Sequence, residues 1–134
     1  MRRILALDPG ERRVGLAFSV VKGDLITAVA DSVWPRNRAF FSMLQELVEA
    51  GEYELILVGR PRSLDGSLGP AASQAEGFAR RISDQLPGIS VKMIDETATT
   101  TQAHERLQGR DPSKVDAVAA QIILEDYLSE HPEI

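Results

Sequence analysis

Arg3-Ile4-Leu5-Ala6-Leu7-Asp8-Pro9-Gly10 is a short apolar run that ends on a carboxylate and a turn. The run reads as a buried strand over residues 3–7, and Pro9-Gly10 turns the chain back. Val14-Gly15-Leu16-Ala17-Phe18-Ser19-Val20-Val21 gives a second strand, and Lys22-Gly23-Asp24 a second turn. Residues 25–34 give a third. Turns this short make the three strands an antiparallel meander. The period then changes. Phe40, Phe41, Leu44, Leu47 and Val48 recur at helical spacing between Arg38 and Ala50, and Gly51 is the expected stop. Leu55-Ile56-Leu57-Val58 is an unbroken apolar strand of the kind buried on both faces of a parallel sheet. A loop over 61–70 leads to a helix with Pro70 in its first turn, continuing to about Leu86. Val91-Lys92-Met93-Ile94 is the fifth strand, 99–108 a short helix, and Asp111-Pro112 the expected cap and first position of a last helix.

The order is βββαβαβαα, an α/β chain with a mixed sheet and helices on both faces. Right-handed crossovers make strands one, four and five parallel. Their carboxyl ends then share one edge, where open α/β sheets place ligand sites. No repeat, low-complexity tract or linker interrupts the 134 residues, so residues 1–134 are expected to form one domain. A hydrophobic share of 43% against 26% charged residues fits a globular chain rather than a disordered one. No apolar run reaches the roughly 18 residues of a membrane span. The absence of cysteine excludes disulfides, zinc–thiolate sites and thiol nucleophiles. Met1-Arg2-Arg3-Ile4 runs straight into a strand without a signal-peptide pattern, so a cytoplasmic location with no membrane partner is expected.

The net charge of −5 argues against tight nonspecific binding to nucleic acid but conceals an asymmetry. Residues 1–38 carry seven basic and four acidic residues, whereas 111–134 carry only Lys114 against six acids. Twelve of the fifteen basic residues are Arg, the side chain suited to two-pronged contact with phosphate. A nucleic-acid partner would therefore have to be held by a local Arg patch.

Carboxylates converge on the shared edge. Asp8 ends strand one, Asp95 and Glu96 end strand five, and Gly59-Arg60 end strand four. Asp-Pro-Gly is also a common turn former, and Asp95 could cap the following segment, so neither marks a site alone. The last helix adds a third contribution. At roughly 100° per residue, Asp116 falls within the apolar arc of Val115, Val118, Ala119, Ile122 and Ile123, near Tyr127. A carboxylate against a core needs a donor, an Arg or a metal ion. Oxygen donors without Cys or a His cluster suit a hard cation such as Mg²⁺, which supports phosphodiester hydrolysis. His104 and His131 are expected to be exposed and not ligands. The loop from Arg60 to Pro70 leaves the same edge with glycines, Arg60 and Arg62, all compatible with phosphate contact.

Leu5-Ala6-Leu7-Asp8-Pro9-Gly10 with Arg13-Val14-Gly15-Leu16-Ala17 resembles the opening of the YqgF-like family. That family is the bacterial Holliday-junction-resolvase-like group, also described as nucleases that mature the small-subunit ribosomal RNA precursor. Val58-Gly59-Arg60-Pro61 with Asp65-Gly66-Ser67 and Gly69-Pro70 resembles its glycine-rich loop. Asp95-Glu96 with Thr99-Thr100 resembles its strand-five motif, and Lys114-Val115-Asp116-Ala117-Val118-Ala119-Ala120 its last helix. The resemblance implies a ribonuclease-H-like fold with sheet order 3-2-1-4-5 and a nuclease dependent on Mg²⁺ or Mn²⁺. It assigns the catalytic and metal-binding carboxylates to Asp8, Glu96 and Asp116, with Asp95 a neighbouring catalytic candidate. Arg13, Arg60, Arg62 and Ser67 are the nucleic-acid-binding candidates.

Three departures stand out. Thr97-Ala98 replaces the family's usual Arg-Leu after the acidic pair. The segment Gln108-Gly109-Arg110-Asp111-Pro112-Ser113 is short where the family carries a longer basic one. Arg60 and Arg62 stand where apolar residues are usual, which suggests that they replace the lost basic groups. The expected partner is structured RNA or branched DNA. Junction resolution would require a homodimer with two active sites, whereas RNA processing would suit a monomer. Trp34, Phe40 and Phe41 either complete the core under the first helix or serve a dimer. A binding module of the same fold is the competing reading. The Asp8-x-Gly10 pattern also resembles sugar-kinase-like ATPases, but those require two such domains around a nucleotide.

Overall fold

A computed structural model describes residues 3–61, 69–96, 105–106 and 112–132. Strands β1 (Ile4–Pro9), β2 (Arg13–Lys22) and β3 (Leu25–Pro35) form the antiparallel meander. Helix α1 (Phe40–Gly51) leads to β4 (Leu55–Pro61), α2 (Pro70–Gln85) to β5 (Ser90–Glu96), and a 3-10 turn (Pro112–Lys114) to α3 (Val115–Glu130). The sheet order is β3-β2-β1-β4-β5, with β4 parallel to both β1 and β5. This is the five-stranded mixed sheet of a ribonuclease-H-like α/β fold.

Strand pleating divides the core in two. Leu5 and Leu7 point toward α1 and α2, against Phe40, Leu44, Phe78 and Ile82. Ile4 and Ala6 point the other way, against Ala120, Ile123, Leu124 and Tyr127 of α3. Leu55 through Val58 are fully buried because both faces of β4 are covered. Phe40 and Phe41 are core residues, and Trp34 meets Phe40 edge-on at 5.8 Å between ring centroids, so all three serve the packing under α1. No helix among the described residues is long and apolar enough to cross a membrane.

Helix α1 stops at Gly51 as expected, whereas the last helix starts later than expected. Gly51 is not the left-handed residue after α1; Glu52 is, at φ 53°. Gly51 instead makes room for Tyr53, whose Cε2 would lie 2.4 Å from a Cβ at position 51. Pro112 opens a 3-10 turn, and α3 itself starts only at Val115, with Lys114 in the flanking position. The cap expected at Asp111 lies outside the described residues, as does most of the helix expected over 99–108. Within that span Glu105 and Arg106 are helical, and Arg106 pairs with Glu125 of α3 at 2.9 Å.

Candidate active site

Asp8 lies on the α3 side of the sheet, because it is two and four residues beyond Ala6 and Ile4 on the same strand. Its partner across the β1–β2 ladder is Gly15. A Cβ at Gly15 would sit 1.9 Å from the carbonyl oxygen of Asp116 and 2.7 Å from the amide nitrogen of Ala117. The first turn of α3 therefore rests on bare backbone beside Asp8. The missing side chain is what allows a carboxylate from the end of the chain to reach one from its beginning. Asp116 also lies in the first turn of α3, where the helix dipole favours negative charge.

Glu96 joins from β5. Ile94 packs with the α3 core, and pleating puts Glu96, two residues on, on the same face. Between Asp8 and Glu96 lies Gly59 of β4, which pairs with Ile94. A Cβ there would meet Ile123 Cδ1 at 2.5 Å, so this gap in the row of side chains also accommodates α3. Two strand spacings and a two-residue offset separate the Asp8 and Glu96 backbones by roughly 12 Å. The extra methylene of Glu shortens that gap.

The electrostatics carry the signature of a carboxylate cluster. Burial first, and then the charge of Asp116, push the Asp8 carboxyl up from 3.8 to about 7. Burial pushes Glu96 up from 4.5 to about 7, helped by Asp126, Asp8, Glu130 and Asp95 in that order. Asp116 also faces Arg13, with Nε 3.5 Å from Oδ2; the Arg13 side chain is 66% exposed, so water screens this pair. The donors are all oxygen, the set preferred by a hard dication, and a dication would offset both the burial and the repulsion that raise Asp8 and Glu96. Among the described residues, however, no three His, Asp or Glu side chains lie close enough together to enclose one ion.

Asp95 does not join the group. As the neighbour of Glu96 on a pleated strand, it points to the α2 face. There Arg60 Nε donates to Asp95 Oδ1, and Arg60 Nη1 donates to Glu76 Oε1 at 2.9 Å. The guanidinium fork of Arg60 is thus engaged by two carboxylates on the opposite face of the sheet from Asp8.

Residues 2–130 match the RuvX family, described as Holliday junction resolvase. The chain belongs to the RuvX family. A protein of Halalkalibacterium halodurans named "Putative pre-16S rRNA nuclease" is 35% identical over 136 residues, which span 94% of this chain and 95% of that one. The structure of Thermus thermophilus RuvC in complex with a Holliday junction substrate superposes with a TM-score of 0.58 at 17% identity, over 96% of each chain. The fowlpox virus Holliday junction resolvase superposes with a TM-score of 0.59 at 10% identity, over 98% of this chain and 99% of that one. The two structures share the fold, and RuvX membership makes the chain a nuclease.

Of the remaining candidate residues of this RuvX chain, Arg13 stands beside Asp116, whereas Arg62 and Ser67 lie outside the described residues. His104 does so as well. His131 is not exposed as expected: it is partly buried, stacks on Tyr127 at 4.1 Å, and its Nδ1 lies 2.9 Å from the Tyr127 carbonyl oxygen. It takes no part in the site. Sequence reasoning misses the spacing roles of Gly15 and Gly59. A glycine inside a strand pattern is the available signal for both.

Proposed function

We propose that the chain is a divalent-metal-dependent nuclease that hydrolyses phosphodiester bonds in structured nucleic acid, with 5′-end maturation of the small-subunit ribosomal RNA precursor as its reaction. Residues 1–134 act as one nuclease domain in the cytoplasm. The observation that carries this reading is the convergence of Asp8, Glu96 and Asp116, from β1, β5 and α3, on one side of the carboxyl edge of the sheet, with Asp8 and Glu96 both raised to about 7.

In this reading Asp8, Glu96 and Asp116 would hold Mg²⁺ or Mn²⁺, and the ion would supply activation of the attacking water and stabilisation of developing negative charge. The chain's own contribution is positional. Asp8 is fixed by the β1–β2 ladder. Asp116 is fixed by the seating of α3 on Gly15, and Glu96 by the β4–β5 ladder, with Arg60 clamping the neighbouring Asp95 to α2. Arg13, beside Asp116, is placed to meet a phosphate near the carboxylates.

Holliday junction resolution is the second reading, favoured by the family description and by the purpose of the two structural neighbours. It requires two sites and hence a homodimer. Metal-titrated cleavage of a ribosomal RNA precursor and of a four-way junction, run beside a measurement of oligomeric state, decides between them. We expect metal-dependent cleavage of the RNA, lost in Asp8→Asn. Cleavage of the junction by a dimer, with the RNA left intact, would establish the resolvase instead. Binding of either nucleic acid without metal-dependent turnover would reduce the chain to a binding module.

A further inference from the structure

The two flanks of the carboxylate edge differ in charge: one is acidic, the other mixed and arginine-bearing. On the β4–β5 flank, an open groove of about 440 Å³ is lined by Asp95, Glu96, Asp126 and Glu130 among its residues. The two arginines described there are already engaged, Arg60 by Asp95 and Glu76 and Arg106 by Glu125. A polyanion is repelled by such a surface. On the β2–β3 flank, a groove of about 510 Å³ is lined by Gly10, Glu11, Arg12, Arg13 and Asp116. Its lining sets Arg12 and Arg13 beside Asp116 and Glu11.

The wall of this second groove is cross-linked by hydrogen bonds. Gly10 N–H donates to the Arg13 carbonyl at 2.7 Å, and Arg36 N–H donates to the Arg12 carbonyl at 2.8 Å. Arg36 Nη1 donates to the Gly10 carbonyl at 2.8 Å, while the guanidinium lies 5.0 Å over the Phe78 ring. Arg36 thus ties the β1–β2 turn to Phe78 of α2. Arg12, whose carbonyl accepts from Arg36 N–H, and Arg38, two residues after Arg36, neighbour this strut along the chain. Both are exposed, and among the described residues neither pairs with a carboxylate.

We propose that the nucleic-acid backbone reaches the carboxylates across the β2–β3 flank, with Arg12 and Arg38 as phosphate contacts and Arg36 as the residue that positions the turn between them. This inference rests on the nuclease reading above and adds the direction of approach and two binding residues. It also places the binding surface away from Arg60.

The test uses Asp8→Asn protein as the binding background, with a labelled ribosomal RNA precursor and a labelled four-way junction as probes. Into it are introduced Arg12→Gln with Arg38→Gln, or Arg80→Gln as an exposed arginine on α2 away from the edge. The double change is expected to weaken binding about tenfold and to reduce the slope of log affinity against log salt by roughly 0.7–0.9 for each phosphate that is no longer neutralised, with Arg80→Gln leaving the slope unaltered. Binding that persists with an unaltered slope in the double variant, or an equal weakening in Arg80→Gln, overturns the proposed approach while leaving the nuclease reading intact. A background protein that binds neither probe overturns both.

Discussion

Asp8→Asn should stabilise the protein while abolishing its activity. The fold holds the Asp8 carboxyl at about 7 instead of 3.8, chiefly through burial and then through the charge of Asp116. At about 1.4 kcal/mol per pH unit, that difference corresponds to about 4 kcal/mol of stability withheld from the ionised protein. Asn needs its own hydrogen-bond partners, and Asp116 can relax away from a charge, so we expect about 2–3 kcal/mol to be recovered. The sign follows from linkage. The folded-state value lies above the unfolded one, so this group's contribution is intact below about pH 4, declines as pH rises to about 7, and is level beyond. Urea unfolding with a chelator present at pH 4.5, 6 and 8 measures it. With a slope of about 1–3 kcal/mol per molar urea, the midpoint of the variant should exceed that of the parent by about 1–2 M at pH 8, and the difference should shrink toward pH 4.5. Adding Mg²⁺ at pH 8 should raise the parent midpoint and leave the variant where it is, if Asp8 is a metal ligand as proposed. A variant no more stable than the parent at pH 8, or a gain that does not vary with pH, would refute the view of Asp8 as a carboxylate strained by burial and repulsion.

Other perturbations address the assembly of the site. Gly15→Ala places a Cβ against the Asp116 backbone, which cannot rotate away; we expect a loss of about 3 kcal/mol or more in urea unfolding together with loss of cleavage. Gly59→Ala meets only the tip of Ile123, so its cost should be nearer 1–2 kcal/mol, and Ile123→Val, which removes that tip, should restore part of it in the double variant's melting temperature. Arg60→Leu breaks the ion pairs to Asp95 and Glu76, whose side chains are each 37% exposed; unfolding should register about 1 kcal/mol, and the salt dependence of nucleic-acid binding should stay unaltered.

The sequence made some parts of this architecture plain and left others ambiguous, for physical reasons. The meander was legible because its turns are short, and α1 because Phe40, Phe41, Leu44 and Val48 keep a helical period. The place of Asp116 followed from its angle on the helix. The choice between Asp95 and Glu96 did not follow, because β5 is apolar on both sides: Val91 and Met93 pack toward α1 and α2, and Ile94 toward α3. With no alternation to fix the parity, neither acid could be assigned to a face. Arg60 shared that difficulty, since the preceding Leu55–Val58 run is buried on both faces and does not show which way position 60 points. The stop of α1 at Gly51 was legible, but the reason for a glycine there was not. A glycine near a helix end usually supplies the left-handed residue, but here it clears space for a ring.

The same parity explains how Glu96 enters the site while its neighbour leaves it. Asp95 is drawn to the α2 face by Arg60, and because a strand turns successive side chains to opposite faces, holding Asp95 there also holds Glu96 toward α3. The departure from the usual family pattern at position 60 therefore bears on how β5 presents its two acids. It anchors one acid so that the next is presented. Gly15 does the complementary work at the other end of the cluster, where removing a side chain lets α3 bring Asp116 down beside Asp8. One acid is thus placed by an ion pair on the far face of the sheet, and another by an absence on the near face. In both cases the residue that sets the geometry lies outside the set of carboxylates whose chemistry it makes possible.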